Sequence, residues 1–118
     1  MSTAKAKGTR WESAIVAYLA DHGFPHAERR TLTGTHDRGD INAAPGLVIE
    51  AKNQARHSWA EWVDEAAQEA INAGAAIGLV WAHRRGKASP GDGYVVMDGA
   101  TATRLLRMAG YGRDIEED

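Results

Sequence analysis

Three residues in the middle of the chain have types and spacing that can do chemistry. They are Asp40, Glu50 and Lys52, set in Arg38-Gly39-Asp40-Ile41 and Ile49-Glu50-Ala51-Lys52. Side chains alternate along a strand, so Glu50 and Lys52 share one face while Ala51 points away. If 40–43 and 47–52 pair as a hairpin through Pro45-Gly46, Asp40 comes beside Glu50 or Lys52. Two carboxylates at one point repel each other unless a cation neutralises them. A hard divalent ion such as Mg²⁺ does so through oxygen ligands, and Mn²⁺ can substitute for it. The carbonyl of Ala51 can add another oxygen. Lys52 beside such an ion can orient or activate a water, with burial and nearby positive charge favouring its neutral form. An E-x-K on a strand is common by itself. The added Asp at hairpin distance, and charge on a face where a central strand is normally apolar, make the set informative.

The elements that must hold these residues can be read from periodicity and punctuation. Residues 1–8 read as a flexible basic arm. Thr9 with Glu12 resembles a capping box, and the helix it opens runs to about 22, where Gly23-Phe24-Pro25 stops it. Trp11, Ile15, Tyr18 and Leu19 form its apolar stripe. Residues 26–32 read as a strand, 33–39 as a polar loop, and 47–52 as a β-branched strand. A second helix spans about 58–73, with Ser58 as cap, Gly74 as stop and Trp59, Trp62, Val63, Ala66, Ala70 and Ile71 inward. Residues 76–82 have the length and apolarity of a buried central strand. A basic loop, 84–93, leads to a strand at 94–97 and a helix at 98–108 with Leu105 and Leu106 inward. The tail beyond Gly110 reads as frayed. The order is α-β-β-β-α-β followed by β-α, and the class is α/β.

Composition bounds the function. The 118 residues make one domain with a hydrophobic core, and the absence of cysteine excludes disulfides, thiolate metal sites and cysteine nucleophiles. No apolar run is long enough to span a bilayer, and no apolar segment follows the basic N-terminus. The expected compartment is the cytoplasm, with no membrane partner. The net charge of −2 hides an uneven distribution: 111–118 is an acidic tail, and without its four acids the rest of the chain is net basic. Cations cluster at Lys5/Lys7/Arg10, at Arg29/Arg30, at Arg84/Arg85/Lys87 and at Arg104/Arg107. Clusters of this kind can grip phosphates without reading sequence. The five histidines form no persuasive zinc spacing. Trp59, Trp62 and Trp81 read as core or dimer interface rather than base-stacking platforms.

Glu12, Asp40, Glu50 and Lys52 on this frame resemble the PD-(D/E)XK nuclease superfamily, closest to its small Holliday junction resolvase-like members. The resemblance covers roughly residues 8–82. It includes a Gly-x-x-x-Glu helix motif, here Gly8-Thr9-Arg10-Trp11-Glu12. Gly39 stands where the superfamily usually has Pro, and Asn72 where exonuclease-like branches have Tyr. The resemblance implies a restriction-endonuclease-like αβββαβ core with a mixed central sheet flanked by helices. It implies metal binding by Asp40 and Glu50, with Lys52 catalytic and Glu12 a further ligand or orienter. Gln68 would be accessory; His36, from its own place in the loop before Asp40, can touch substrate or orient water. DNA would be held by Lys5, Lys7, Arg10, Arg38, Arg84, Arg85 and Lys87. The implied activity is metal-dependent endonucleolytic hydrolysis of branched or four-way DNA by a homodimer. A restriction- or repair-type endonuclease and a non-catalytic DNA-binding module are the alternatives.

Overall fold

A computed structural model describes residues 3–30 and 39–115. Helix α1 spans Ala4–Asp21, followed by strands β1 (Glu28–Arg29), β2 (Ile41–Ala44) and β3 (Leu47–Lys52). Helix α2 (Trp59–Ala73), strand β4 (Ile77–Ala82), strand β5 (Tyr94–Val96) and helix α3 (Gly99–Met108) complete the order. The five strands form one mixed sheet in sequence order: β3 and β4 are parallel, and every other neighbouring pair is antiparallel. The protein is thus α/β, with helices flanking a mixed sheet. No helix among the described residues is long and apolar enough to cross a membrane.

The helices take opposite faces of the sheet because strand residues alternate. Trp11, Ile15 and Leu19 of α1 pack with Ile41, Ile49, Ile77 and Leu79. Trp62 and Ala66 of α2 pack with Val80 and Ala82 on the other face. The face beneath α2 therefore carries the even-numbered positions of β3, which are Val48, Glu50 and Lys52. Register with β4 places Glu50 beside Val80 and Lys52 beside Ala82. Charge has been put where a core strand normally carries only apolar side chains.

Several expectations need correcting. Helix α1 begins five residues earlier than Thr9, because Thr3 caps it by accepting from the Ala6 N–H at 3.0 Å. The Ala-Lys repeat at 4–7 suits a helix and leaves no loose arm there. Strand β1 covers Glu28–Arg29 of the expected 26–32, of which 31–32, like 33–38 of the expected loop, lie outside the described residues. Ser58 holds the cap position of α2 but makes no side-chain capping bond. Ile71, Leu105 and Leu106 are exposed, not inward. The stretch after α3 is not frayed at its start: Arg107 donates to the Tyr111 carbonyl at 2.8 Å and pairs with Asp114.

Helix α2 lies against β4 at closest approach over Gly78. A Cβ there would stand 2.4 Å from the Ala66 carbonyl oxygen and 2.9 Å from the Ala70 side chain. Gly78→Ala should therefore lift α2 from the sheet and destabilise the fold by about 1–3 kcal/mol, the usual cost of overpacking. Urea unfolding checks this; an unchanged midpoint would contradict the close contact.

Candidate metal centre

The hairpin aligns Ile41 with Ile49, and the Asp40 N–H donates to the Ile49 carbonyl at 3.0 Å. Asp40 thus sits one step beyond the paired strand, level with Glu50. Its carboxylate turns back and accepts from the Ala51 N–H at 2.9 Å. This bond caps an amide that β2 is too short to reach. The residue before it is conformationally special. Gly39 is buried with φ +92°, and a Cβ there would stand 2.5 Å from Val48 and 3.3 Å from the Ile49 carbonyl. Proline, with φ fixed near −65°, does not fit this turn.

Glu50 and Lys52 project beneath α2, as alternation requires, and α2 meets them with Glu65 and Glu69. Lys52 Nζ lies 3.4 Å from Glu50 and 3.0 Å from Glu65. Oxygen atoms of Glu50, Glu65 and Glu69 all lie within 4.8 Å of one another. Glu50 is 4% exposed and Glu69 is 2% exposed. Among the described residues no donor reaches the buried Glu50 Oε2. Its approaches to Glu69 and Glu65 are carboxyl to carboxyl, where neither side brings a proton unless one is neutral.

The electrostatics follow from this crowding. Burial first, then Glu69, Glu65 and Asp40, pushes the Glu50 carboxyl up to about 12. Burial also raises Asp40, assisted by the Glu12 charge and opposed by the Ala51 N–H. Burial pulls Lys52 down, but Glu65 and Glu50 together outweigh it and hold the ammonium above its ordinary value. The expectation that Lys52 is poised as a neutral base is therefore reversed for this arrangement. Glu65 has burial working to raise it, yet its bonds to Glu50 and Lys52 leave it lowered.

Of the residues singled out from sequence, Asp40, Glu50, Ala51 and Lys52 are brought together. Ala51 meets Asp40 through its N–H. Glu12 acts on Asp40 through its charge while pairing with Arg29 at 3.0 Å. Gln68 is not at the site; it is exposed and donates to Asn72. His36 and Arg38 lie outside the described residues. Lys7 and Arg85 line one groove, with His57 and His83. Arg84 lies over the Tyr94 ring, and Lys5, Arg10 and Lys87 are exposed. Sequence reasoning missed Glu65 and Glu69. A signal existed: Glu69 falls three residues after Ala66 and beside Ala70, on the apolar stripe of α2, where a carboxylate has no structural reason to be.

An oxygen-only donor set with an orphaned buried carboxylate oxygen suits a hard divalent cation such as Mg²⁺ or Mn²⁺. Glu50, Glu65 and Glu69 would hold it, with Asp40 adjoining. No family model, no curated protein and no solved structure matches the chain.

Without a cation, the raised Glu50 makes the fold pH-dependent. A carboxyl whose folded value exceeds its ordinary 4.5 contributes stability fully below that value and loses it as pH rises. In chelator, Glu50→Gln should therefore melt higher than the parent chain, and the gap should widen from pH 5 to pH 8. The slope is at most about 1.4 kcal/mol per pH unit. A gap that stays constant across that range would show that Glu50 does not bear the burial cost.

Proposed function

We propose that this protein is a divalent-metal-dependent endodeoxyribonuclease with a PD-(D/E)XK-type site in a restriction-endonuclease-like core. Its proposed substrate is branched DNA, with the four-way junction first. One observation carries the reading. Glu50 and Lys52 stand 3.4 Å apart on the α2 face of the sheet, the Ala51 N–H holds the Asp40 carboxylate next to that strand, and α2 adds two further carboxylates. A protein that only bound DNA would have no use for buried acids, which repel phosphate.

The residues divide the work. Glu50, Glu65 and Glu69 would hold the cation, and Asp40, fixed by the Ala51 N–H, presents its carboxylate beside them. A bound Mg²⁺ would polarise a phosphoryl oxygen and lower the pKa of a water. Lys52, charged and clamped by Glu50 and Glu65, places an ammonium where a phosphate must approach. Glu12 and Arg29 flank Asp40, with Arg29 nearly half exposed. Cations at Lys7 and Arg85 lie beyond Lys52 and offer a sequence-independent grip on the backbone. Symmetric cutting of a junction requires two copies, so a homodimer follows from this substrate.

The test uses labelled four-way junction, linear duplex and single strand with Mg²⁺, Mn²⁺ or chelator. Junctions should be cut in symmetric pairs, only with metal. Asp40→Asn and Lys52→Ala should each lower the rate by about a hundredfold or more, as losses of aligned charge do. Equal cutting of plain duplex would replace the junction by a general endonuclease. Binding without cutting would favour the non-catalytic module, and neither binding nor cutting would end the nucleic-acid reading.

A further inference from the structure

The face that carries Glu50 and Lys52 continues past them to the edge of the sheet. Lys52 is in register with Ala82, and Ala82 with Tyr94. Tyr94 therefore lies in the same cross-strand row as Lys52 and on the same face, two strand spacings or about 10 Å away. Aromatic rings connect the two. Lys52 Nζ stands 5.8 Å from the centre of the Trp62 ring, and Trp62 meets Trp59 edge-on at 5.2 Å. Trp59 in turn lies 6.3 Å from Tyr94 and 4.5 Å from His57.

Packing explains the inner rings. Trp62 is buried, and Trp59 packs against the same cluster with Val96. It does not explain the outer ones. Tyr94 is 41% exposed on an edge strand, and His57 is exposed. With Trp59 and Val96 they line an open groove of about 540 Å³. A second groove of about 510 Å³ adjoins it, since His57 lines both, and brings Lys7, His83 and Arg85. The Arg84 guanidinium stands 5.6 Å over the Tyr94 ring.

Flat apolar rings interleaved with cations match one ligand chemistry closely. An unpaired nucleotide offers a π-face for stacking and a phosphate for the cation, and proteins that hold single strands combine the same two features. Paired bases keep their faces inside the duplex and cannot use the rings. We infer that the Trp59–Tyr94–His57 groove, with Lys7, Arg84 and Arg85 at its border, binds unpaired nucleotides next to the carboxylate centre. This inference rests on the nuclease reading for what the held strand is for, while binding itself needs no metal. At 3.4 Å per stacked nucleotide, about 10 Å spans roughly three. The strand reaching Lys52 is thus gripped a few nucleotides from the point where pairing ends. Within branched DNA the groove therefore favours a duplex with an unpaired branch or end over the fully paired four-way junction, and the rings read that opening rather than any sequence.

The test is binding in chelator, using a labelled oligothymidine and a blunt duplex, with cleavage of blunt and forked duplexes in Mg²⁺ run beside it. The proteins are the parent chain, Tyr94→Ala, Trp59→Ala and Trp59→Phe. Tyr94 is exposed, so its loss spares the core, and Trp59→Phe keeps a ring where Trp59→Ala could loosen α2. Oligothymidine should quench tryptophan emission in the parent chain. Tyr94→Ala and Trp59→Ala should each weaken its binding about tenfold or more, Trp59→Phe much less, with blunt-duplex affinity unchanged. That pattern upholds the inference whether or not DNA is cut; absence of cutting would then remove only the nuclease reading. Undiminished oligothymidine binding in Tyr94→Ala, or an equal fall for blunt duplex, would overturn the inference even where forks are cut with Mg²⁺.

Discussion

Carboxylates out of water must meet a proton, a cation or strong donors, since desolvating an ion costs several kcal/mol even after relaxation. The contact between α2 and β3 places Glu50 and Glu69 in that condition, with Glu65 beside them. Lys52 supplies one positive charge and satisfies one oxygen of Glu50. The remainder is met by raising Glu50 until it keeps its proton. A proton is a poor occupant for a cluster of this shape, because it serves one oxygen pair at a time. A divalent ion serves all three carboxylates together. The tension is the plainest reason to regard the cluster as functional: burying acids weakens a fold, and fold economy alone would place leucine or alanine there.

Everything around the cluster is arranged to keep it closed and in register. Gly78 lets α2 sink onto β4, which brings Glu65 and Glu69 within reach of β3. Gly39 lets the chain enter β2 in a left-handed turn against Val48, so that Asp40 arrives level with Glu50. The parallel pairing of β3 and β4 then sets Lys52 beside Ala82, a side chain small enough to leave room above it. These are positioning effects, which matter because displacement of about 1 Å at a reacting centre is costly. The two faces also divide labour. The α1 face holds the larger apolar cluster, and the α2 face gives up part of its hydrophobic area to charge.

Much of this was legible in the sequence. Alternation in Leu47–Lys52 and the Pro45-Gly46 turn were sufficient to pair β2 with β3 and bring Asp40 to Glu50. The apolar run at 76–82 was sufficient to place a buried interior strand, which begins at Ile77. What was not legible depended on tertiary contact. Glu69 falls on the apolar stripe of α2, but only the packing of α2 on β3 reveals that it meets Glu50 there and that Glu65 joins them. Gln68 was chosen from the resemblance, yet one residue is about 100° on a helix and turns it to solvent. Leu105 and Leu106 followed the rule that leucine points inward, but α3 buries Thr101 and leaves both leucines exposed. Charge hid the start of α1, since a good helix-forming stretch at 4–7 looked like a basic arm. The neutral form expected of Lys52 is disfavoured for a different reason: two acids outweigh burial, and one of them comes from the helix.

The central question is whether the glutamate cluster takes a divalent cation. Calorimetric titration of Mn²⁺ into the metal-free protein, repeated in buffers of different ionisation enthalpy, measures this directly. One ion should bind per chain and release about one proton near pH 7, because the ion displaces the proton that Glu50 holds. Glu69→Gln and Glu50→Gln should each weaken binding by about tenfold or more, the first with proton release retained and the second with it lost. No uptake at millimolar Mn²⁺, or uptake that neither substitution alters, would contradict the account.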